Sequence, residues 1–183
     1  MTGTPVFSQR VLNRTLLQRQ FLLERTSRGV PAVIEHLVAM QAQEPNWPYV
    51  GLWTRLAGFR HEALTYLLHD GTVVRSTMLR VTQHLAGAAD YAWLRPALQP
   101  LMDRHVRASY YTEQTNGLDL AEVTATAVEF LGDRTVPRRE LNRMLAERYP
   151  RRKGAQLAGA VETRWGWCTP RRAARGARGA AAP

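Results

Sequence analysis

Cysteine is nearly absent from this chain. Cys168 is the single one in 183 residues, which excludes an internal disulfide and a cysteine-built metal site. Lysine is as scarce: Lys153 stands alone, so almost every positive charge is an arginine. No apolar run approaches the roughly 20 residues of a spanning helix. Met1 to Arg10 lacks the basic-then-apolar layout of a signal peptide. These absences set the expectation of a cytoplasmic protein without a membrane anchor. Also missing are a glycine-rich phosphate loop, H-E-x-x-H, Cys/His zinc spacing and a G-x-S-x-G elbow. The residues therefore point to no cofactor and no metal.

What is present is a globular composition with a strong positive bias. Apolar residues make up 45%, and mean hydropathy is −0.33. The length suits one ordinary domain or two small ones. A net charge of +10 favours a polyanionic partner, most often nucleic acid. Eight of the 25 basic residues lie from Arg151 onward, against Glu162 alone. Arginine suits phosphate because its planar fork donates twice; a GC-rich gene is the alternative source of the same bias.

Along the chain, periodicity predicts a helix from Val11 to Arg25 with Leu12, Leu16, Leu17 and Phe21 as its apolar side. Pro31 opens a second helix whose buried stripe is Val33, Ile34, Leu37 and Val38. "QEPNWP" breaks it, because the residue before a proline is pushed out of the helical region. Short helices follow over Tyr49–Leu56 and Arg60–Leu68, the latter ended by His69–Gly71. Thr72–Leu85 alternates and is rich in Val and Thr, as one or two strands would be. Three helices followed by a β-ribbon make a winged helix-turn-helix, a DNA-docking arrangement. Ala88–Tyr111 is helical with breaks at Pro96 and Pro100, Asp90 being placed to cap its start. Thr112–Gly117 is a linker candidate. Leu120–Leu131 and Pro137–Tyr149 are helices that could begin a second unit, and after Pro150 the pattern fails. The expected class is mainly α with small β-ribbons, a tandem winged helix-turn-helix whose second unit is incomplete. Its expected divisions are 1–115, a partial second domain over 118–165, and a disordered basic tail over 166–183.

Gln41 and Gln43 lie two apart, on nearly opposite sides of a helix but on one side of an extended segment. Glu44 precedes Pro45, so the backbone leaves the helix around here and the two amides could converge; spacing alone favours the plainer reading that they solvate or cap a helix end. Arg80, Thr82 and His84 would share one face of a strand and suit phosphate contacts, or form an ordinary solvated face. Arg55, Arg60 and Arg75 are further phosphate candidates. Trp47, Tyr49 and Trp53 belong more naturally to a core, with proline-flanked Trp47 the exception that could meet nucleic acid.

"MQAQEPNWPYVGLWTRL" (40–56) together with "STMLRVTQHLAGAADYAWLRP" (76–96) resembles the AlkZ-like bacterial winged-helix DNA glycosylases. Three landmarks occur in order: Q-x-Q with a proline-rich turn and "GLW", then R-x-T-x-H-L, then an acidic residue before a helix ending in Arg-Pro. The resemblance runs over about Val11–Tyr149. It implies excision of N-alkylated (N7) purines, with some members unhooking interstrand crosslinks, and it places Gln41 and Gln43 on the family's catalytic pair. Related members carry Asp at the second position, so Gln43 puts this chain with the Q-x-Q subgroup. The implied partner is duplex DNA carrying alkylated purines, bound by a monomer. The stretch "VETRWGWCTPRRAARGARGAAAP" departs from the family pattern and sets the expectation of a C-terminally truncated or frameshifted member. The alternative function is a non-catalytic winged-helix DNA-binding protein, a regulator or an inactive remnant.

Overall fold

The computed structural model describes residues 6–107, 109–132, 134 and 136–165. The tail over 166–183, with Cys168 and its expected disorder, lies outside the described residues. Among the described residues, no helix is long and apolar enough to cross a membrane.

The element order is α1 (Gln9–Arg19), α2 (Val30–Leu37), β1 (Met40–Gln41), α3 (Trp47–Trp53), α4 (His61–Asp70), β2 (Val73–Thr77) and β3 (Gln83–Gly87). Then follow α5 (Ala88–Ala97), α6 (Gln99–Val106), α7 (Ser109–Thr115), α8 (Leu120–Leu131), α9 (Arg138–Arg148) and α10 (Gly154–Arg164). The class is α+β, mainly helical, and the sheet among the described residues is antiparallel in the order β1-β3-β2. One face of that sheet, through Met40, Val73 and Leu85, packs on Val33, Ile34, Leu52 and Leu64 of the first helices. The other face, through Val74 and Ala86, packs on Tyr91 and Leu94 of α5. A sheet covered on both faces is held rigidly, and β1 is the short edge of it. This is the winged helix-turn-helix expected from the pattern, with an added strand: β1 was hidden in what reads as the end of a helix.

Several local expectations are corrected. The first helix ends at Arg19, not Arg25, and buries none of its residues; Leu12, Leu16 and Leu17 are exposed. Phe21 sits beyond it at φ 56°, against the His36 ring at 4.5 Å. Val38 does not join the stripe of α2, because it turns the chain at φ 64° and is exposed. α4 stops where expected, since Gly71 adopts φ 84°, a left-handed conformation that a side chain would oppose. Asp90 is not the cap of α5. Gly87 holds that position, and Asp90 lies in the first turn, accepting from the Trp93 ring N–H at 3.2 Å and favoured there by the helix dipole. The helical stretch after it breaks at Leu98 and again between Val106 and Ser109. Pro96 lies inside α5, and Pro100 sits in the first turn of α6, where its missing N–H costs nothing.

The linker expected at Thr112–Gly117 is not one. Gln114 and Thr115 are buried; Arg152 donates to the carbonyls of Glu113 and Asn116, and the Lys153 N–H to Gln114 Oε1 at 2.7 Å. Nor does the pattern fail after Pro150. α10 is central to a second core in which Leu157, Ala158 and Val161 meet Val123, Ala127, Leu141 and Leu145. It shows no stripe because it is enclosed on several sides, and small residues allow that enclosure. Gly154 packs directly on the Asn142 carbonyl of α9. No strand accompanies this second unit among the described residues. The two cores are tied by Arg95 of α5, which is almost wholly buried and donates to the Thr163 carbonyl at 2.6 Å.

Candidate functional site

The site is built where α2 gives way to β1. Residues 40–42 run extended beside β3: Met40 pairs with Leu85, Gln41 with His84, and the Ala42 N–H donates to the Gln83 carbonyl at 2.8 Å. Strand alternation then sorts the side chains. Met40 and Ala42 are buried, while Gln41 and Gln43 are exposed. The extended exit that brings both amides to one side is therefore formed.

Their oxygens are already directed. Arg80 Nη2 donates to Gln41 Oε1 at 3.1 Å, and the Gln83 N–H donates to Gln43 Oε1 at 3.2 Å. A guanidinium and a peptide N–H can only donate, so chemistry requires that both partners be the amide oxygens. Each carbonyl oxygen has two acceptor positions. One on each glutamine is filled by the wing, and the other is available to a water.

The wing itself differs from the expected strand. β2 ends at Thr77, and Leu79–Val81 forms a tight turn in which Arg80 (φ 52°) and Val81 (φ 57°) are both left-handed. Arg80, Thr82 and His84 consequently do not share one strand face. Arg80 is exposed at the tip. Thr82 Oγ1 donates to the Leu79 carbonyl at 3.1 Å, closing the turn. His84 is buried, with Nδ1 2.9 Å from the Thr82 carbonyl, so that nitrogen carries the proton. In register it lies between Gln41 on one side and Ser76 on the other.

Two of the other arginines are turned inward. Arg55 donates to the Gly51 carbonyl at 2.8 Å and to Gln20 Oε1 at 3.3 Å; burial lowers its pKa. Arg75 donates through Nε to the Ala42 carbonyl at 2.9 Å and through Nη2 to the Gln43 carbonyl at 3.2 Å. Burial lowers the pKa of Arg75, and the fields of Glu162 and Glu44 oppose that shift. Arg60 stands exposed at the N-cap position of α4.

Trp47 is 54% exposed, on a groove of about 590 Å³ that Gln41, Met40, His36 and Arg55 also line. Tyr49 is half-buried, stacked on His61 with ring centroids 4.2 Å apart. Trp53 is not core: it is 55% exposed, with the Arg25 guanidinium 4.4 Å above its ring. Sequence reasoning missed Gln83, whose backbone holds one candidate amide while its own side chain donates to Thr77 Oγ1 at 2.9 Å. The signal for it was the strand register against Ala42, which no local pattern displays.

A family model described as DNA glycosylase AlkZ-like matches residues 34–182. The fold is similar to that of Streptomyces sahachiroi DNA glycosylase AlkZ, with a TM-score of 0.68 and 22% identity. That likeness covers 87% of this chain and 45% of the other, so the chain spans less than half the length of the solved relative. No curated protein sequence matches the chain.

Proposed function

The chain belongs to the AlkZ-like DNA glycosylase family, and on that premise we propose that it hydrolyses the N-glycosidic bond of N7-alkylated purines in duplex DNA, with Gln41 and Gln43 as the catalytic pair. The observation that carries the reading is the pair of outward-facing amides on one extended edge, each with its oxygen oriented by a donor from the wing. Alkylation at N7 makes the purine cationic and a good leaving group, so no strong acid is required. The C1′–N9 bond breaks with its electron pair going to the base, which leaves neutral. A water adds at C1′ and loses its proton to solvent.

Near neutral pH an amide does not act as a general base. Its contribution is to hold the water in line through the free acceptor position and to set a dipole against the oxocarbenium-like charge. Arg80 on the wing, bonded to Gln41, and Arg60 at the N-cap of α4 are exposed cations that suit phosphate oxygens. The exposed face of Trp47 offers a stacking surface beside Gln41. Unhooking of interstrand crosslinks would use the same bond cleavage at the same pair.

The test is base release from duplex DNA containing N7-methylguanine, measured alongside duplex affinity. Release by wild type, reduced about 10²-fold or more in Q43A and Q41A with affinity kept, is the expected result. Tight duplex binding with no base release by wild type would instead make the chain a non-catalytic binding module. Undiminished release in both variants would remove the glutamines from the chemistry.

A further inference from the structure

The end of the β1·β3 ladder is wired irregularly, and the irregularity leads to Arg75. In an antiparallel hydrogen-bonded pair the two residues exchange both N–H···O bonds. Ala42 and Gln83 make one of them, Ala42 N–H to the Gln83 carbonyl at 2.8 Å. The reciprocal bond would run from the Gln83 N–H to the Ala42 carbonyl. Instead that N–H donates to Gln43 Oε1 at 3.2 Å, and the Ala42 carbonyl receives Arg75 Nε at 2.9 Å. Arg75 Nη2 takes the next carbonyl, that of Gln43, at 3.2 Å.

We propose that Arg75 is a positioning residue for Gln43: by occupying the Ala42 and Gln43 carbonyls it frees the Gln83 N–H to orient the Gln43 amide. This rests on the reading that Gln43 acts in base release. The residue type fits. Arg75 lies on β2, and its side chain must cross over β3 to reach the edge strand, which the long, forked guanidinium does with two donors at fixed spacing. Both acceptors are neutral carbonyls, so the bonds hold backbone in place and leave the cation's field with Glu44 and Glu162. Without Arg75 the buried Ala42 carbonyl loses its partner, and the donor that regular strand pairing offers it is the Gln83 N–H. The ladder would close by one more bond and Gln43 would lose its anchor.

The experiment compares Arg75→Lys and Arg75→Met with wild type. Lysine keeps the charge but not the two-carbonyl fork. In both variants base release should fall about 10²-fold, the size of effect an ångström of misplacement produces. Duplex affinity and its salt slope should stay at wild-type values, and the Gln43 side-chain amide resonance should move. In a Q43A background neither substitution should reduce base release further. A wild-type kcat with weaker binding and a shallower salt slope would overturn the proposal in favour of a phosphate contact. An unmoved Gln43 resonance in both variants would overturn it as well. If wild type releases no base, the glycosylase reading fails, while the resonance still decides the Arg75–Gln43 coupling. Should both variants unfold, a through-bond coupling between Arg75 Nε and the Ala42 carbonyl carbon decides the point in wild type: its presence supports the proposal, its absence overturns it.

Discussion

Arg80 donates to Gln41 Oε1 at 3.1 Å from a left-handed backbone, φ 52° and ψ 22°, joining residues 39 positions apart. A side chain in that region costs about 1–2 kcal/mol. The wing is thus strained at the point where it touches one of the two amides, an arrangement common at working sites.

That strain predicts an inverted ranking. At an ordinary position glycine is no more stabilising than alanine. Here Arg80→Gly should be more stable than Arg80→Ala by about 1 kcal/mol in urea unfolding. Both should lower base release, since both remove the donor to Gln41. Equal stabilities would show that the turn carries no strain.

Gly154→Ala should be costly. An added Cβ would overlap the Asn142 carbonyl and lie 2.9 Å from the Ala146 N. Both neighbours are backbone, so α9 and α10 must separate. A loss of about 1–3 kcal/mol is expected, read by urea unfolding. A loss within error would mean that the two helices are not in close contact.

Two polar residues, His84 within the ribbon and Arg60 at the N-cap of α4, should behave oppositely. His84 is 5% exposed, so His84→Ala should lower stability by about 1–3 kcal/mol and leave the salt dependence of DNA binding alone. Arg60 is exposed; Arg60→Ala should weaken duplex binding on any sequence and reduce the salt slope by about 1. Anisotropy titrations at several salt concentrations check both, and an altered slope in the histidine variant would contradict its buried placement.

Glu162 makes stability depend on pH. Burial raises its pKa, opposed by Arg138, its ion-pair partner, and by Arg75. A folded pKa above the unfolded one means that its favourable contribution is complete below the unfolded pKa and disappears as pH rises through the folded value. Glu162→Gln cannot titrate. The melting temperature of the variant relative to wild type should therefore climb as pH rises through and beyond the glutamate range. A pH-independent difference would refute the shift.

Much of the scaffold was legible. Gly71 ends α4, Pro31 starts α2, and the Val/Thr alternation of residues 72–85 is a ribbon, because these signals act within a few residues of themselves. The burial of α10 was not legible. Its two glycines and its alanines carry no periodic stripe, and their value appears only when α9 lies against Gly154. Trp53 misled in the other direction, since an aromatic among leucines was left on the surface beneath Arg25.

Local pattern excludes a helix that runs on through Pro45, and it leaves open both an extended exit with Gln41 and Gln43 on one side and a solvated helix end. The fold chooses the first: α2 stops at Leu37, residues 40–42 pair with β3, and donors from the wing hold the two amides. Arg75, Arg80 and Gln83 lie 32 to 40 positions away from the residues they bond. They meet them because β3 runs between β1 and β2, with its register set by the burial of Met40 and Leu85. Such long-range donors leave no mark in local pattern, and they give two ordinary amides a fixed direction.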